Sequence, residues 1–368
     1  EWTSASSGNL TIENFTITNC DGTFNNTSGS GLYINTTSAS KVYIINMNIS
    51  GGYNVATTLG NGIVEFRDCT LTIPYGYSYT TTHNLILGNY YYIVTNCFVN
   101  NIAQNVAGVA AINVINADGC FIQNCFIAGY IGLLITPKPT DIFNFLYIDN
   151  NLFDTIGQFA IWFKDHADGV PGTYYEMVRI SNNQITQTPI ISAPSDSSGI
   201  CIYNNIRNLS IIGNQIKGWA FAGVNISPVS GAPKNMLIDS NVIGDNISCG
   251  VVLAADNVFA GNQISNNIIG EGAGTIGMTQ DVGIYFTGTG TYNGYNVVNN
   301  QLYNNLSASI FNDTGSVFTN CIINNNSGAN DVPVVVASAT SIDAPISQEA
   351  IILTGTATVQ TITPVWNE

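Results

Sequence analysis

A chain of 368 residues with 8 Lys and Arg against 23 Asp and Glu carries a formal charge of −15, which makes a phosphate backbone, and so nucleic acid, a poor partner. No run of 18 apolar residues occurs, so membrane insertion is not expected, and no signal peptide is seen at a start that is Glu1 and not Met. Eight Cys without a CxxC pair and two scattered His offer no metal-ligand set, and no phosphate- or dinucleotide-binding fingerprint implies a cofactor.

Short alternating runs begin at once, with Leu10-Thr11-Ile12 and Phe15-Thr16-Ile17, and the second ends at Asn19-Cys20. The same event occurs twelve times in all, recurring at Met47-Asn48 (a weaker copy), Asp68-Cys69, Asn96-Cys97, Asn124-Cys125, Asn150-Asn151, Asn182-Asn183, Gly213-Asn214, Ser240-Asn241, Asn266-Asn267, Asn299-Asn300 and Asn320-Cys321. Three residues before the last residue of each pair stands Ile, Val or Phe in all twelve copies. Two residues after it stands Ile, Leu, Val or Phe in ten, Gly22 and Ser50 being the exceptions. Alternate side chains of a strand face opposite ways, so positions −5 and −3 point inward and −4 and −2 outward. At the pair the phase breaks and the chain bends, which suits Asn because it tolerates a left-handed backbone.

The spacing averages about 27 residues, too short for strand–helix–strand units and suited to coils of three short strands. The expected fold is all-β: one right-handed parallel β-helix of about twelve coils over 1–326, with a separate β tail over 327–368. Asn over Asn predicts a ladder of side-chain amides along the axis. Cys69, Cys97 and Cys125 read as buried thiols, since in-register Cβ atoms sit farther apart than the roughly 3.8 Å of a disulfide. Twelve Asn-x-Ser/Thr sequons are little more than this composition produces by chance. The first coil has no cap before it, which implies a longer chain, a partner, or a plug built on Trp2.

After Asn326 the repeat gives way to Val332-Pro333-Val334-Val335-Val336 and then to the Thr-alternating run Ile351–Pro364, read as one or two strands with a Gly turn. This run resembles the segment that follows the β-helix in phage tail proteins of the pectin-lyase-like fold, and here it looks truncated. The resemblance implies an extracellular or virion-surface protein, homotrimeric, that binds cell-surface polysaccharide. A polysaccharide depolymerase, hydrolase or lyase, is the alternative, and a passive stalk or coat protein the third. Polygalacturonase and pectate-lyase signatures are absent from the sequence.

Two places carry candidate chemistry. In mid-chain, Asp149 and Arg179 face outward on adjacent coils, within a diagonal step of one another. The long excursion between them holds Trp162, Asp165, His166, Asp168, Tyr174, Tyr175 and Glu176. Asp149, Asp165, Asp168 and Glu176 could supply the two carboxyl groups of glycoside hydrolysis. Arg179, Lys164 or His166 could serve a lyase as cation or base. Trp162, Tyr174 and Tyr175, with the earlier Tyr75, Tyr77 and Tyr79, offer rings for stacking on sugars. Glu65 and Arg67, outward on one strand, read as a local ion pair.

Overall fold

The computed structural model describes residues 2–363 apart from 5–8, 19–29, 37–39, 52–53, 74–84, 89–90, 102–108, 116, 137–144, 165–174, 188–193, 205, 229–233, 255–257, 271–279, 314–315, 329–333, 338–340, 344–350 and 355–360. Every strand pairing among the described residues is parallel, and no helix is among them. One sheet has twelve strands, from Asn9–Glu13 to Ile322–Asn324, each paired with its counterpart one turn away. A second sheet of 22 strands takes up the two strands that follow in each turn. Parallel neighbours joined by crossovers wind right-handed almost without exception. The architecture is the expected right-handed parallel β-helix.

Tyr91–Thr95 shows how a turn is built. Tyr92 and Val94 are buried while Tyr91, Ile93 and Thr95 face out. Asn96 then takes φ 54°, and its N–H donates to the carbonyl of Gln123 in the next turn at 3.1 Å. Cys97 points inward, and Phe98–Asn101 starts the second strand. The left-handed bend repeats at Asn14, Asn46, Asp68, Asn124, Asn150, Asn182, Gly213, Ser240, Asn266, Asn299 and Asn325.

The inward residue after each bend forms the predicted ladder. Asn183 donates from its backbone N–H and its Nδ2 to Asn214 Oδ1, at 3.0 and 2.9 Å, and from Nδ2 to the Ile148 carbonyl at 2.9 Å. The same set of bonds joins Asn151, Asn214, Asn241, Asn267, Asn300 and Asn326, so the amides of this column satisfy one another and the neighbouring carbonyls. Cys69 and Cys125 occupy the same slot, each thiol donating to the Ile44 or Val94 carbonyl one turn below. Cys97 lies between them, and hydrogen bonding to both thiols, with burial, pushes its own well above the ordinary range.

Three copies of the repeat depart from the expected phase. In the weak copy the bend is Asn46 and the inward residue Met47, leaving Asn48 exposed, one residue earlier than the pattern implied. Asn19-Cys20 lies outside the described residues, and the first described bend is Asn14-Phe15. Asn320-Cys321 is a different corner. Val258–Ala260, Thr291–Asn293 and Val317–Thr319 form a small sheet of their own, with bends at Gly261, Gly294 and Asn320. The residue stacked on Asn300 is therefore Asn326. Two bends per turn with the same sequence signature explain the misplacement.

A second amide chain closes the corner before the third strand. Asn246 Nδ2 donates to Gln280 Oε1 at 3.1 Å, and Gln280 Nε2 to Asn305 Oδ1 at 2.7 Å. It packs on Gly250 and Gly283; a Cβ on Gly250 would come within 2.3 Å of Ile269 Cγ2. The sequon residues Asn225, Asn246 and Asn305 are buried, which closes them to glycosylation in the folded chain. Trp2–Ser4 enters the ladder as a strand on Ser30–Thr36. In the tail, Ile351–Thr354 and Thr361–Thr363 pair in parallel with Val334–Ala337 and Ser341–Asp343, not with each other across a Gly turn.

Asn241→Ala would remove the side-chain donor to the Ile211 carbonyl and the acceptor shared by the Asn214 backbone N–H and one Nδ2 hydrogen, Nδ2 keeping its bond to the Ile180 carbonyl. Urea unfolding should show a loss of about 3 kcal/mol or more, at ~1–3 kcal/mol for each stranded group. Cys125→Asn, which extends the ladder by one rung, should change stability by less than about 1 kcal/mol.

Candidate glycan-binding face

The third strand of each turn has two faces. Leu133, Ile135, Ile161, Phe163, Ile200, Ile202, Val224, Ile226, Val251, Leu253, Ile284 and Phe286 belong to the central core. Between them, in register from strand to strand, stand Leu134, Trp162, Cys201, Asn225, Val252, Tyr285 and Phe311. This outward rung forms a floor along the rod. Its middle is small and closed, with Cys201, Asn225 and Val252 all buried, and its two ends are aromatic.

At one end Trp162 packs with Phe159, Tyr130 and Tyr203 around Cys201. Its indole is tilted 37° from Phe159 and stands edge-on to Tyr203, so neither ring lies flat against it. Lys164 Nζ sits 5.6 Å from the indole centroid. Asp196, held by Gln158 Nε2 at 3.2 Å to each oxygen, borders the cluster. Burial and, after it, the Asp196 carboxylate push the Tyr130 phenol up, and burial pushes the Cys201 thiol up to about 12. At the other end Phe221 and Tyr285 pack around Cys249 and Val252, and Tyr285 meets the exposed Phe311 at 44° and 5.4 Å. Asp313 Oδ2 accepts from Tyr285 Oη and Thr287 Oγ1, each at 3.3 Å, and Ser307 donates to Asp281.

Other aromatic pairs on the outside are arranged differently. Phe98 lies on Phe126 at 4.8 Å and 9°, and Phe121 on Tyr147 at 5.2 Å and 8°. Rings stacked along the axis shut their faces against each other and leave edges to solvent. Trp162 and Tyr285 are not closed in this way.

Part of the sequence-derived site falls among the described residues, and Asp149 and Arg179 stand a diagonal step apart on adjacent strands, as expected. Asp149 faces out on the twelve-stranded sheet, but it is in register with Ser181, and Arg179 with Tyr147. Ser181 Oγ donates to Asp149 Oδ1 at 2.6 Å and accepts from Arg179 Nε at 3.2 Å, so serine bridges the expected pair. Asn182 Nδ2 adds a second bond to Asp149 Oδ1 at 3.0 Å. The same device recurs at Asp239, Ser265 and Asn266, with Gln263 in the place of Arg179, which marks it as a way of satisfying outward groups. Glu176 is ion-paired with Arg207 at 3.6 Å, not with Arg179, and both side chains are more than 40% exposed. Glu65 and Arg67 form the expected pair at 3.5 Å. Tyr175 is a correction: it is 1% exposed, edge-on to Phe163 at 5.3 Å, and faces the core because its strand bridge to Ile206 turns it inward. Asp165, His166, Asp168, Tyr174, Tyr75, Tyr77 and Tyr79 lie outside the described residues. Trp162 alone of the described ring candidates lines an outer face. Tyr203, Phe221, Tyr285 and Phe311 were missed, although each stands near or on a strand at the same step as Trp162.

No protein-family description matches the chain, and no curated protein is a match. Among solved structures, tailspike protein 3 of bacteriophage CBA120 is similar over 89% of this chain and 53% of that one, at 17% identity and a TM-score of 0.49. The Dettilon tailspike protein is similar over 88% and 62%, at 12% identity and a TM-score of 0.34. The A-module of a mannuronan C-5 epimerase from Azotobacter vinelandii is similar over 88% and 91%, at 11% identity and a TM-score of 0.26. The chain spans about half the length of the first of these. The likeness is one of backbone winding.

Tyr175→Ala should destabilise the rod by about 3–5 kcal/mol in chemical denaturation, the usual cost of emptying a buried aromatic site. Tyr175→Phe should leave the affinity for any glycan unchanged, which a direct titration of both forms checks.

Proposed function

We propose that the protein binds a polysaccharide along the face between Trp162 and Tyr285, as a virion-surface protein of the tailspike kind. The observation that carries this reading is the Trp162 cluster, an indole with no ring lying flat on it, bordered by the hydrogen-bonding side chains of Lys164, Gln158 and Asp196. Sugar rings combine an apolar face with a rim of hydroxyls, so a half-buried indole beside polar side chains suits them. The sequence resemblance of the Ile351–Pro364 run to phage tail proteins supports the setting.

The described carboxylates favour binding over cleavage. Asp149 is tied to Ser181 and Asn182, and Glu176 to Arg207, on separate partners and away from the Trp162 floor. Assembly into a homotrimer belongs to the same proposal. It is supported by two apolar stretches of one outward rung, Phe98, Phe126 and Leu152 and then Val242 and Ile268, with Gln184 and Gln215 between them; Phe98 and Val242 are exposed.

Retention on immobilised cell-surface polysaccharides, followed by calorimetric titration, tests the reading. Trp162→Ala should weaken binding at least about tenfold, a loss of ~1.4 kcal/mol, while chain length of the glycan stays constant during incubation. Unchanged affinity would sink the proposed face; shortening of the glycan would replace the binder with a depolymerase. Sedimentation should show a single species of three chains, and a monomer would remove the assembly.

A further inference from the structure

The face described above carries little positive charge to meet an acidic sugar. The floor rung from Leu134 to Phe311 holds no ionisable acid or base other than a buried thiol and a tyrosine. Its border holds three carboxylates: Asp196 at the Trp162 end, and Asp281 and Asp313 at the Tyr285 end. Among the described residues the cation facing them is Lys164, which is drawn over the indole. The remaining basic residues are placed elsewhere. Lys41, Arg67 and Arg179 lie on the twelve-stranded sheet, Arg207 is with Glu176, and Lys217 is on a second-strand position. Lys234 is exposed at the start of a further turn, and Lys138 lies outside the described residues. The whole chain adds a field of −15 charges.

We infer that the ligand of this face is an uncharged polysaccharide, taken lengthwise along the rod and held at both aromatic ends. The inference rests on the proposed function and names its ligand class. Chemistry and geometry agree on it. An anionic chain would bring its carboxylates or sulfates against Asp196, Asp281 and Asp313 with one ammonium group in return, and like charges in contact are costly. An uncharged chain loses nothing there, because the carboxylates accept hydrogen bonds from hydroxyls, as can the half-buried Ser227, whose own proton is donated to the buried Asn225 Oδ1 at 2.6 Å. Four strand steps separate Trp162 from Tyr285, roughly 19 Å at the spacing of a parallel ladder. Both ends can be engaged at once only by a chain of several sugar residues, and linked contacts then reinforce each other.

The test titrates the full chain with an uncharged glucan or mannan and with polygalacturonate or alginate, each at low and at high salt. The uncharged polymer should bind with an affinity that salt changes less than about twofold, and the anionic polymers at least about tenfold more weakly, improving as salt screens the repulsion. Asp196→Lys, on an exposed turn, should shift the ratio of anionic to uncharged affinity about tenfold toward the anionic polymers. Tyr285→Ala should weaken long chains and spare short oligosaccharides, whereas Trp162→Ala weakens both. Tight binding of an anionic polymer that salt abolishes would overturn the ligand class and leave the glycan-binding reading standing. Equal losses in Tyr285→Ala for short and long chains would overturn the lengthwise placement. Failure of every polymer to bind would remove the inference together with the function beneath it.

Discussion

A left-handed bend that turns a polar side chain into the core is the constraint on which this molecule rests. Each coil alone would bury an amide with no partner, at a cost comparable to the net value of several good hydrogen bonds. Stacking removes that cost, because the coil above supplies an acceptor and the coil below a carbonyl, as the bonds around Asn183 and Asn214 show. The ladder therefore fixes register as well as stability: a shift by one residue would strand every amide at once. Cys69, Cys97 and Cys125 continue the column by a cheaper device, a small thiol that needs one carbonyl and little else.

With the interior fixed in this way, the outer faces are free to differ. On the twelve-stranded sheet the outward side chains pair along the axis, ring on ring at Phe121 and Tyr147 and carboxylate to hydroxyl at Asp149 and Ser181. Such contacts are satisfied within the chain and leave little for a ligand. On the third-strand face small residues such as Cys201 and Val252 form the middle of the floor, with Trp162 and Tyr285 at its ends. A floor with aromatic rings at both ends follows from residue size alone. Its acidic border and the scarcity of Lys and Arg then bear on which sugars could lie there.

The repeat, the parallel winding and the Asn column were legible because each depends on local rules: strand alternation, and the tolerance of Asn for φ near 55°. The phase of the copy at Met47 and the corner at Cys321 were not, since two kinds of bend share one signature and only the stacking partner distinguishes them. Tyr175 looked like a surface ring because it sits in a polar stretch, yet its bridge to Ile206 turns it inward.

Composition and spacing by themselves determined that the chain is an acidic parallel solenoid with amide and thiol columns, because those features are properties of one coil repeated. Tertiary structure alone decided which outward residues meet. Residues one coil apart are separated by loops of unequal length, from about 20 to above 30 residues per turn, so neighbours across the ladder cannot be counted off along the chain. That is why the bridging Ser181 between Asp149 and Arg179 was not foreseen, and why Trp162, Cys201, Asn225, Val252 and Tyr285, scattered over more than a hundred residues, form one surface.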